Sequence, residues 1–131
     1  MKQGRTVLEA KRYGIYSCYQ NTPLIEASRK LVSEDISSLV VLDDQGYLTG
    51  IITRTDLVRA YLENEDWENL PVGDYMSEDV ITVYPKATLL EVANLLQQKH
   101  IHRVVVIREE DGNPRAISVI SDTDILYHMV K

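Results

Sequence analysis

Gly50-Ile51-Ile52-Thr53-Arg54-Thr55-Asp56 is the stretch from which the rest of the chain can be understood. Its apolar half predicts a buried strand, and the hydroxyls and carboxylate that follow predict the start of a helix. A related stretch, Ser118-Val119-Ile120-Ser121-Asp122-Thr123-Asp124, occurs near the end of the chain. The sequence therefore contains one unit twice, with similar chemistry at each corner between strand and helix.

The repeat extends well beyond these two corners. When the sequence is displaced by 65 positions, residues 15–42 match residues 80–107 without a gap. After a loop that is three residues longer in the second copy, the displacement becomes 68, and Asp56 then meets Asp124. Two copies of this length fit a tandem domain pair better than an array of short repeats.

Each copy reads as strand, helix, strand, strand, helix. Continuous apolar runs at 39–42 and 104–107 predict strands that are covered on both faces. Amphipathic stripes predict the first helix of each copy, after Pro23 and after the capping box of Thr88 and Glu91. The second helices are expected to bury Leu57, Val58, Tyr61 and Leu62 in one copy, and Ile125, Leu126, Met129 and Val130 in the other.

These patterns predict an α+β (mixed α/β) fold of two βαββα repeats. The predicted boundaries are an N-terminal arm at 1–14, the first copy at 15–65, a linker at 66–79 and the second copy at 80–131. The arm is expected to contain a short helix.

The composition excludes several classes of protein. The chain has 131 residues, 44% of them apolar, which is enough for a folded core, and its formal charge of −6 is a poor match to nucleic acid. The single Cys18 cannot form an internal disulfide and fits a reducing compartment. No apolar run approaches the ~18 residues of a membrane span. No secretory signal is visible at the N-terminus, so a cytoplasmic location is expected.

This order of elements, with Gly-hydrophobe-x-Thr-x-Thr-Asp after the third strand, resembles the CBS domain. The two copies together resemble a CBS domain pair, or Bateman module, over about residues 13–131. The stretch Asp74-Tyr75-Met76-Ser77 before Val80-Ile81-Thr82-Val83 adds to the resemblance. It implies a pseudo-twofold axis between the copies, and a regulatory module that binds AMP, ADP, ATP or S-adenosylmethionine in one or both clefts between them.

The resemblance also implies roles for residues of a first cleft. Asp56 would accept hydrogen bonds from a ribose diol, with the hydroxyls of Thr53 and Thr55 beside it. The stretch 99–104 is similar to one in the gamma regulatory subunit of AMP-activated protein kinase, whose matching His-Arg pair contacts phosphate; His102 and Arg103 would do so here. The set expected at the first cleft is Ile51, Thr53, Arg54, Thr55, Asp56, Ile81, Thr82, Val83, His102 and Arg103.

A second cleft is expected to bind a nucleotide less well. Ser37-Ser38 stands where the other copy has His102-Arg103, and Asp122 replaces Arg54. A polyphosphate there would meet an extra carboxylate, which repels it. The set expected at the second cleft is Ser17, Cys18, Val119, Ser121, Thr123 and Asp124.

Structural and functional alternatives stay open at this stage. Asp56 could simply cap the following helix, and the two threonines could be ordinary residues of a strand end. The functional alternatives to a sensor of adenine nucleotides are a module for S-adenosylmethionine and a ligand-free module that serves association.

Neither catalysis nor a metal site is expected from the sequence. No nucleophile and base stand together in a recognisable motif, and the histidines and Cys18 lack the spacing of metal ligands. We therefore expect no catalytic cofactor. The expected partners are an adenosyl compound, a second copy of the chain docked through the helices at 57–62 and 125–130, and an unidentified effector protein, with neither nucleic acid nor membrane.

Overall fold

The computed structural model describes residues 4–11 and 14–131. The predicted arm therefore lies partly outside the described residues, at positions 1–3, 12 and 13. The helices and strands, in chain order, are α1 (Val7–Ala10), β1 (Ser17–Tyr19), α2 (Leu24–Glu34), β2 (Ser38–Leu42), β3 (Leu48–Thr53), α3 (Arg54–Glu63), β4 (Thr82–Val83), α4 (Leu89–Lys99), β5 (Arg103–Glu110), β6 (Asn113–Ser121) and α5 (Asp122–Met129). Between α3 and β4 lie two single turns of 3-10 helix, Trp67–Asn69 and Val72–Asp74.

The chain forms two compact units, which are described separately here. One unit contains residues 16–79, and the other contains residues 80–131 together with the described residues before 16, at 4–11, 14 and 15. We call them the first and the second unit. Each has the predicted order strand, helix, strand, strand, helix, which confirms the α+β fold of two βαββα repeats.

The first unit is built on a three-stranded mixed sheet. β1 runs parallel to β2, with Ser17 opposite Val40, and β2 runs antiparallel to β3, with Val40 opposite Ile51. Leu39, Val40 and Val41 are consecutive and all buried, so both faces of β2 are covered, as predicted. The core beside this sheet consists of Cys18, Leu24, Ala27, Leu31, Leu39, Val41, Ile52, Leu57, Ala60 and Val72.

The second unit repeats this topology. β4 runs parallel to β5, and β5 runs antiparallel to β6. Asp111 and Gly112, both with positive φ, join β5 to β6 in a two-residue hairpin turn of the kind that matches the twist of the strands. The core consists of Val7, Val83, Leu89, Val92, Leu96, Val104, Val106 and Ile120.

A short segment before each copy also belongs to the repeat. We call residues 5–11 and 70–76 the lead-in segments. Val7 N donates to the carbonyl of Ala87 at 2.9 Å, and Val72 N donates to that of Thr22 at 2.8 Å. The side chains of Val7 and Val72 are both fully buried in their units. Each lead-in segment thus precedes one copy in the sequence and packs into the unit that contains the other copy.

The second helices differ from the prediction. Leu57 and Ala60 are the buried residues of α3, whereas Val58, Tyr61 and Leu62 are exposed. The reason is geometric, because a helix lying on a three-stranded sheet buries one narrow face and these residues lie outside it. In the second unit Ile125 is half-buried, whereas Leu126, Met129 and Val130 are exposed.

No helix in the described part of the chain is both long enough and apolar enough to cross a bilayer. The predicted domain boundaries stay a prediction.

Candidate functional site

The corner of the first unit, where β3 meets α3, holds a fixed carboxylate. The backbone N–H of Thr53 donates to Oδ2 of Asp56 at 2.8 Å, and the Thr53 hydroxyl donates to the same oxygen at 3.0 Å. In return, Asp56 N donates to the Thr53 hydroxyl at 3.4 Å, which completes a capping box. The structure therefore bears out the capping role of Asp56, and that role engages one of its two oxygens.

Arg59 is a residue of this corner that the sequence analysis missed. Its Nη1 lies 3.4 Å from the other oxygen of Asp56, Oδ1, and its Nη2 donates to the carbonyl of Tyr75 at 3.4 Å. The guanidinium also lies 5.2 Å from the centre of the Tyr75 ring, within the range of a cation–π contact. The spacing of three residues from Asp56 along a helix is a signal that could have identified it.

The other residues predicted around the first corner have different surroundings. Ile51 is buried and pairs with Ser77 through two backbone hydrogen bonds of 3.0 and 2.9 Å. Arg54 turns back to its own unit, where Nε donates to the carbonyl of Ile36 at 3.3 Å. Thr55 is exposed at the start of α3.

The corner of the second unit repeats the capping box. The backbone N–H and the hydroxyl of Ser121 donate to Oδ2 of Asp124 at 2.8 and 3.0 Å, and Asp124 N donates back at 3.3 Å. Thr123 is exposed, and Val119 is half-buried on β6. The predicted equivalence of Asp56 and Asp124 therefore extends to nearly the same hydrogen-bond distances.

Lys11 is a second residue that the sequence analysis missed. Its Nζ donates to the carbonyl of Val119 at 2.6 Å and to Oδ2 of Asp124 at 3.1 Å. A cation therefore lies at the second corner. Ser37-Ser38, which stands where the other copy has His102-Arg103, supplies none. The 65-residue displacement, extended before residue 15, aligns Lys11 with Met76 and is a signal in the sequence that could have identified it.

His102 and Asp122 lie together in the second unit. Nδ1 of His102 is 3.0 Å from Oδ2 of Asp122, and both side chains are largely exposed. Hydrogen bonding to His102 holds the pKa of the Asp122 carboxyl below its usual value, and the charge of Arg103 acts in the same direction. Asp122, which was expected to repel phosphate from the second cleft, therefore contacts His102, which was assigned to the first cleft.

The remaining predicted residues lie on strands or immediately before them. Ile81 precedes β4, Thr82 and Val83 form it, and Arg103 begins β5 opposite Ser121. Ser17 and Cys18 lie on β1. The combination of residues from both copies in one cleft stays a prediction.

Cys18 is unsuited to act as a reactive or metal-binding thiolate. Its side chain is buried in the first core, and this burial raises the pKa of the thiol to about 11. Across 4–11 and 14–131, no group of three His, Cys, Asp or Glu side chains is arranged to hold a metal ion.

The geometry of the two units agrees with the comparison with known families. The sequence model of the CBS domain matches residues 10–63 and again residues 72–131. The chain belongs to the CBS domain family. The resemblance inferred from the repeated corners is thereby confirmed, and the protein is a CBS pair.

Solved structures and a curated relative support this assignment. The CBS domain pair of protein MJ0100, solved in complex with 5′-methylthioadenosine and S-adenosyl-L-methionine, is 25% identical to this CBS pair with a TM-score of 0.82, covering 96% of this chain and 98% of that one. The protein CBSX2, solved in complex with AMP, is 22% identical with a TM-score of 0.82 and covers 97% of each chain. An uncharacterised protein of Methanocaldococcus jannaschii is 27% identical over 120 residues, which are 92% of this chain and 41% of that protein. The chain thus spans less than half the length of this curated relative.

Proposed function

We propose that this CBS pair is a regulatory module that binds an adenine nucleotide, AMP, ADP or ATP, and passes the bound state to a partner protein. The observation that carries the proposal is the fixed carboxylate of Asp56. Its capping box uses Oδ2, while Oδ1 meets only the long 3.4 Å contact with Arg59 among the described residues. A carboxylate fixed by a capping box, whose second oxygen makes only one long contact, suits two hydroxyl donors of a ribose.

The phosphates require cations as well as a diol acceptor. We assign this role to His102 and Arg103, two adjacent residues at the start of β5 in the second unit. Arginine presents a planar group with several donors, which matches the oxygens of a phosphate. Arg59 is a further cation at the first corner, although its present contacts with Asp56 and Tyr75 hold it beside the carboxylate.

The ligands of two structural relatives agree in chemical class. One relative was solved with AMP, and the other with 5′-methylthioadenosine and S-adenosyl-L-methionine. All three ligands share an adenosyl group. S-adenosylmethionine is the second candidate, since it lacks phosphates and would not meet repulsion from Asp122 at the second corner. A catalytic role is not part of the proposal, because the hydroxyl and the carboxylate at each corner are engaged in a capping box at the start of a helix.

A thermal-shift screen with AMP, ADP, ATP, S-adenosylmethionine and NADH tests the proposed function. A ligand that binds only the folded state stabilises it by about 2.7 kcal/mol at a hundredfold excess over its Kd. For a domain of this size we expect a rise in melting temperature of several degrees, on the order of 10 °C. No shift with any adenosyl compound at millimolar concentration would favour the ligand-free association module. Chromatography of the incubated nucleotide checks that it is not consumed.

We also propose that two copies of the chain associate through their outer helices. The support is the exposure of Val58, Tyr61 and Leu62 on α3 and of Leu126 and Met129 on α5. A groove of about 830 Å³ runs along α4 and α5, with Leu96, Leu126 and Met129 in its lining. Apolar surface of this kind is typical of an interaction site.

A further inference from the structure

We propose that Lys11 decides whether the second corner accepts a ribose diol, because its ammonium neutralises the carboxylate that the diol needs. This inference rests on the proposed function, since it concerns the same kind of ligand. It adds a residue outside the predicted set, and a reason why two corners with the same capping box differ as binding sites.

The first step is to identify the counterpart of Lys11 in the other unit. Lys11 N donates to the carbonyl of Val7 at 2.9 Å, and Met76 N donates to that of Val72 at 2.9 Å. The donors Lys11 and Met76 are 65 positions apart, and so are the acceptors Val7 and Val72. The hydrogen bonds of Val7 to Ala87 and of Val72 to Thr22 likewise join corresponding positions of the two copies. Lys11 and Met76 therefore occupy equivalent positions in the two lead-in segments.

The second step is the difference between these equivalent side chains. Met76 is apolar and lies over Gly50 on β3, so closely that a Cβ on this glycine would be 2.8 Å from its sulfur. Lys11, in the equivalent position, donates to the carbonyl of Val119 on β6 and to the carboxylate of Asp124. The lead-in segment thus brings a positive charge to the second corner, where the first has a thioether.

The third step is the state of the acceptor. Oδ2 of Asp124 already accepts from the N–H and the hydroxyl of Ser121, and Lys11 adds a third donor and neutralises the charge. The capping box and Lys11 both use Oδ2, which leaves Oδ1 to the hydroxyls of a ribose, but the ammonium, itself held by a backbone carbonyl at 2.6 Å, neutralises the carboxylate. Hydrogen bonds to a charged acceptor are stronger than those between neutral groups, so a diol gains less from a carboxylate whose charge is already paired.

The first corner shows the contrasting arrangement. The cation beside Asp56 is Arg59, which belongs to the same helix and lies 3.4 Å from Oδ1, a distance beyond a good charge-assisted hydrogen bond. Its other nitrogen contacts the carbonyl of Tyr75. Arg59 therefore pairs with Asp56 less closely than Lys11 pairs with Asp124, and its long contact with Oδ1 is easier to replace by a hydroxyl.

The experiment is isothermal titration of the full chain with AMP and with adenosine, comparing the wild type with Lys11→Met, Lys11→Arg and the double variant Lys11→Met with Asp124→Asn. Lys11→Met gives position 11 the same residue type as the equivalent position 76, and Lys11→Arg keeps a cation there. We expect Lys11→Met to gain one adenosine equivalent per chain, bound at least about tenfold more tightly than at the same corner of the wild type. Lys11→Arg should not gain it, and the double variant should lose it. Circular dichroism confirms that each variant is folded.

The outcomes separate this inference from the proposed function. If Lys11→Met binds no more ligand than the wild type, the role of Lys11 is overturned, and the wild-type titration alone then decides the proposed function. A loss of ligand in Lys11→Met also overturns it, because the lysine would then be a contact to the ligand. If the wild type binds nothing while Lys11→Met binds one equivalent, the role of Lys11 is supported and the assignment of the first corner fails.

Discussion

Nδ1 of His102 lies 3.0 Å from Oδ2 of Asp122, which is the first residue of α5. The corresponding position of the first unit holds Arg54, whose side chain also turns back to the loop before the middle strand, at the carbonyl of Ile36. The side chain that begins the second helix therefore contacts the same loop in both units. In the second unit this contact joins the carboxylate of Asp122 to His102, a residue that we propose binds phosphate.

Asp122→Asn should strengthen nucleotide binding. The change removes a negative charge beside His102 and leaves the imidazole available to a phosphate. The contact between His102 and Asp122 is largely exposed, and polar pairs at the surface contribute up to about 1 kcal/mol, so affinity for AMP should rise by up to about fivefold. Isothermal titration measures the effect, with Asp111→Asn in the β5–β6 turn as the control of equal charge. Equal gains in both variants would attribute the effect to net charge alone.

Asp56→Ala and Arg103→Ala should each weaken AMP binding strongly, while Asp124→Ala weakens it little. Losing a hydrogen bond to a charged group costs about 1.5–3 kcal/mol, or roughly tenfold to over a hundredfold in affinity. Asp124→Ala is a matched control, because it breaks the same capping box in the other unit. Arg103→Ala should affect AMP far more than adenosine. If only Asp124→Ala abolished binding in isothermal titration, the working site would lie at the second corner, and our assignment to the first would be wrong.

Gly50→Ala should destabilise the first unit. A Cβ at this position would lie 2.7 Å from the carbonyl oxygen of Ser77 and 2.8 Å from the sulfur of Met76, so the lead-in segment would have to move. Overpacking of this kind costs about 1–3 kcal/mol. Urea denaturation gives the change in the free energy of unfolding. Gly4→Ala, which adds a methyl group where nothing lies within 4 Å, should change it by less than about 0.5 kcal/mol.

Cys18 should react slowly with iodoacetamide in the native protein at pH 8. Its pKa of about 11 leaves only about 0.1% of the thiol ionised at that pH, and the sulfur is buried. Because the pKa of Cys18 in the folded state lies above the ordinary thiol value of 9.0, the native state should lose stability as the pH rises from about 9 towards 11. Mass spectrometry of the alkylated protein, with and without urea, measures the protection; equal rates in both would contradict it.

Leu126→Asp should convert the proposed dimer into a monomer. The substitution places a charge on the exposed face of α5, where burial against a second copy would leave it without a partner. Light scattering at tens of micromolar should give twice the mass of one chain for the wild type and the mass of one chain for the variant. Val32→Asp, at an exposed position on α2, is the control and should remain dimeric. A wild type of single-chain mass would refute the dimer.

The sequence predicted the repeated architecture because local patterns carry it. The predicted runs are consecutively buried in strands at 39–41 and 104–107, and the hydroxyl and carboxylate spacing at Thr53 and Asp56 corresponds to a capping box. Such features depend on neighbours within a few residues. Helix amphipathicity was less informative for α3, because its apolar residues lie on more than one face and only Leu57 and Ala60 are buried.

The contacts at the second corner could not be predicted in the same way. Lys11 and Asp124 are separated by 113 positions, and the ion pair forms only because Val7 anchors the lead-in segment in the core of the second unit. His102 and Asp122 are closer in sequence, but their contact depends on β5 and β6 pairing in register. Charge contacts of this kind follow from the tertiary fold and leave little trace in local sequence patterns.

The crossed placement of the lead-in segments has a consequence for how the chain reaches its native state. Val7 belongs to a core whose other buried residues begin at Val83. A ribosome must therefore synthesise most of the protein before the side chain of Val7 can be buried. Contacts between distant parts of a chain slow folding, because a long loop must close before they form. The first unit, at residues 16–79, is one continuous stretch that includes the lead-in segment it binds, whereas the second unit needs residues from both ends of the sequence, so we expect the first unit to form before the second.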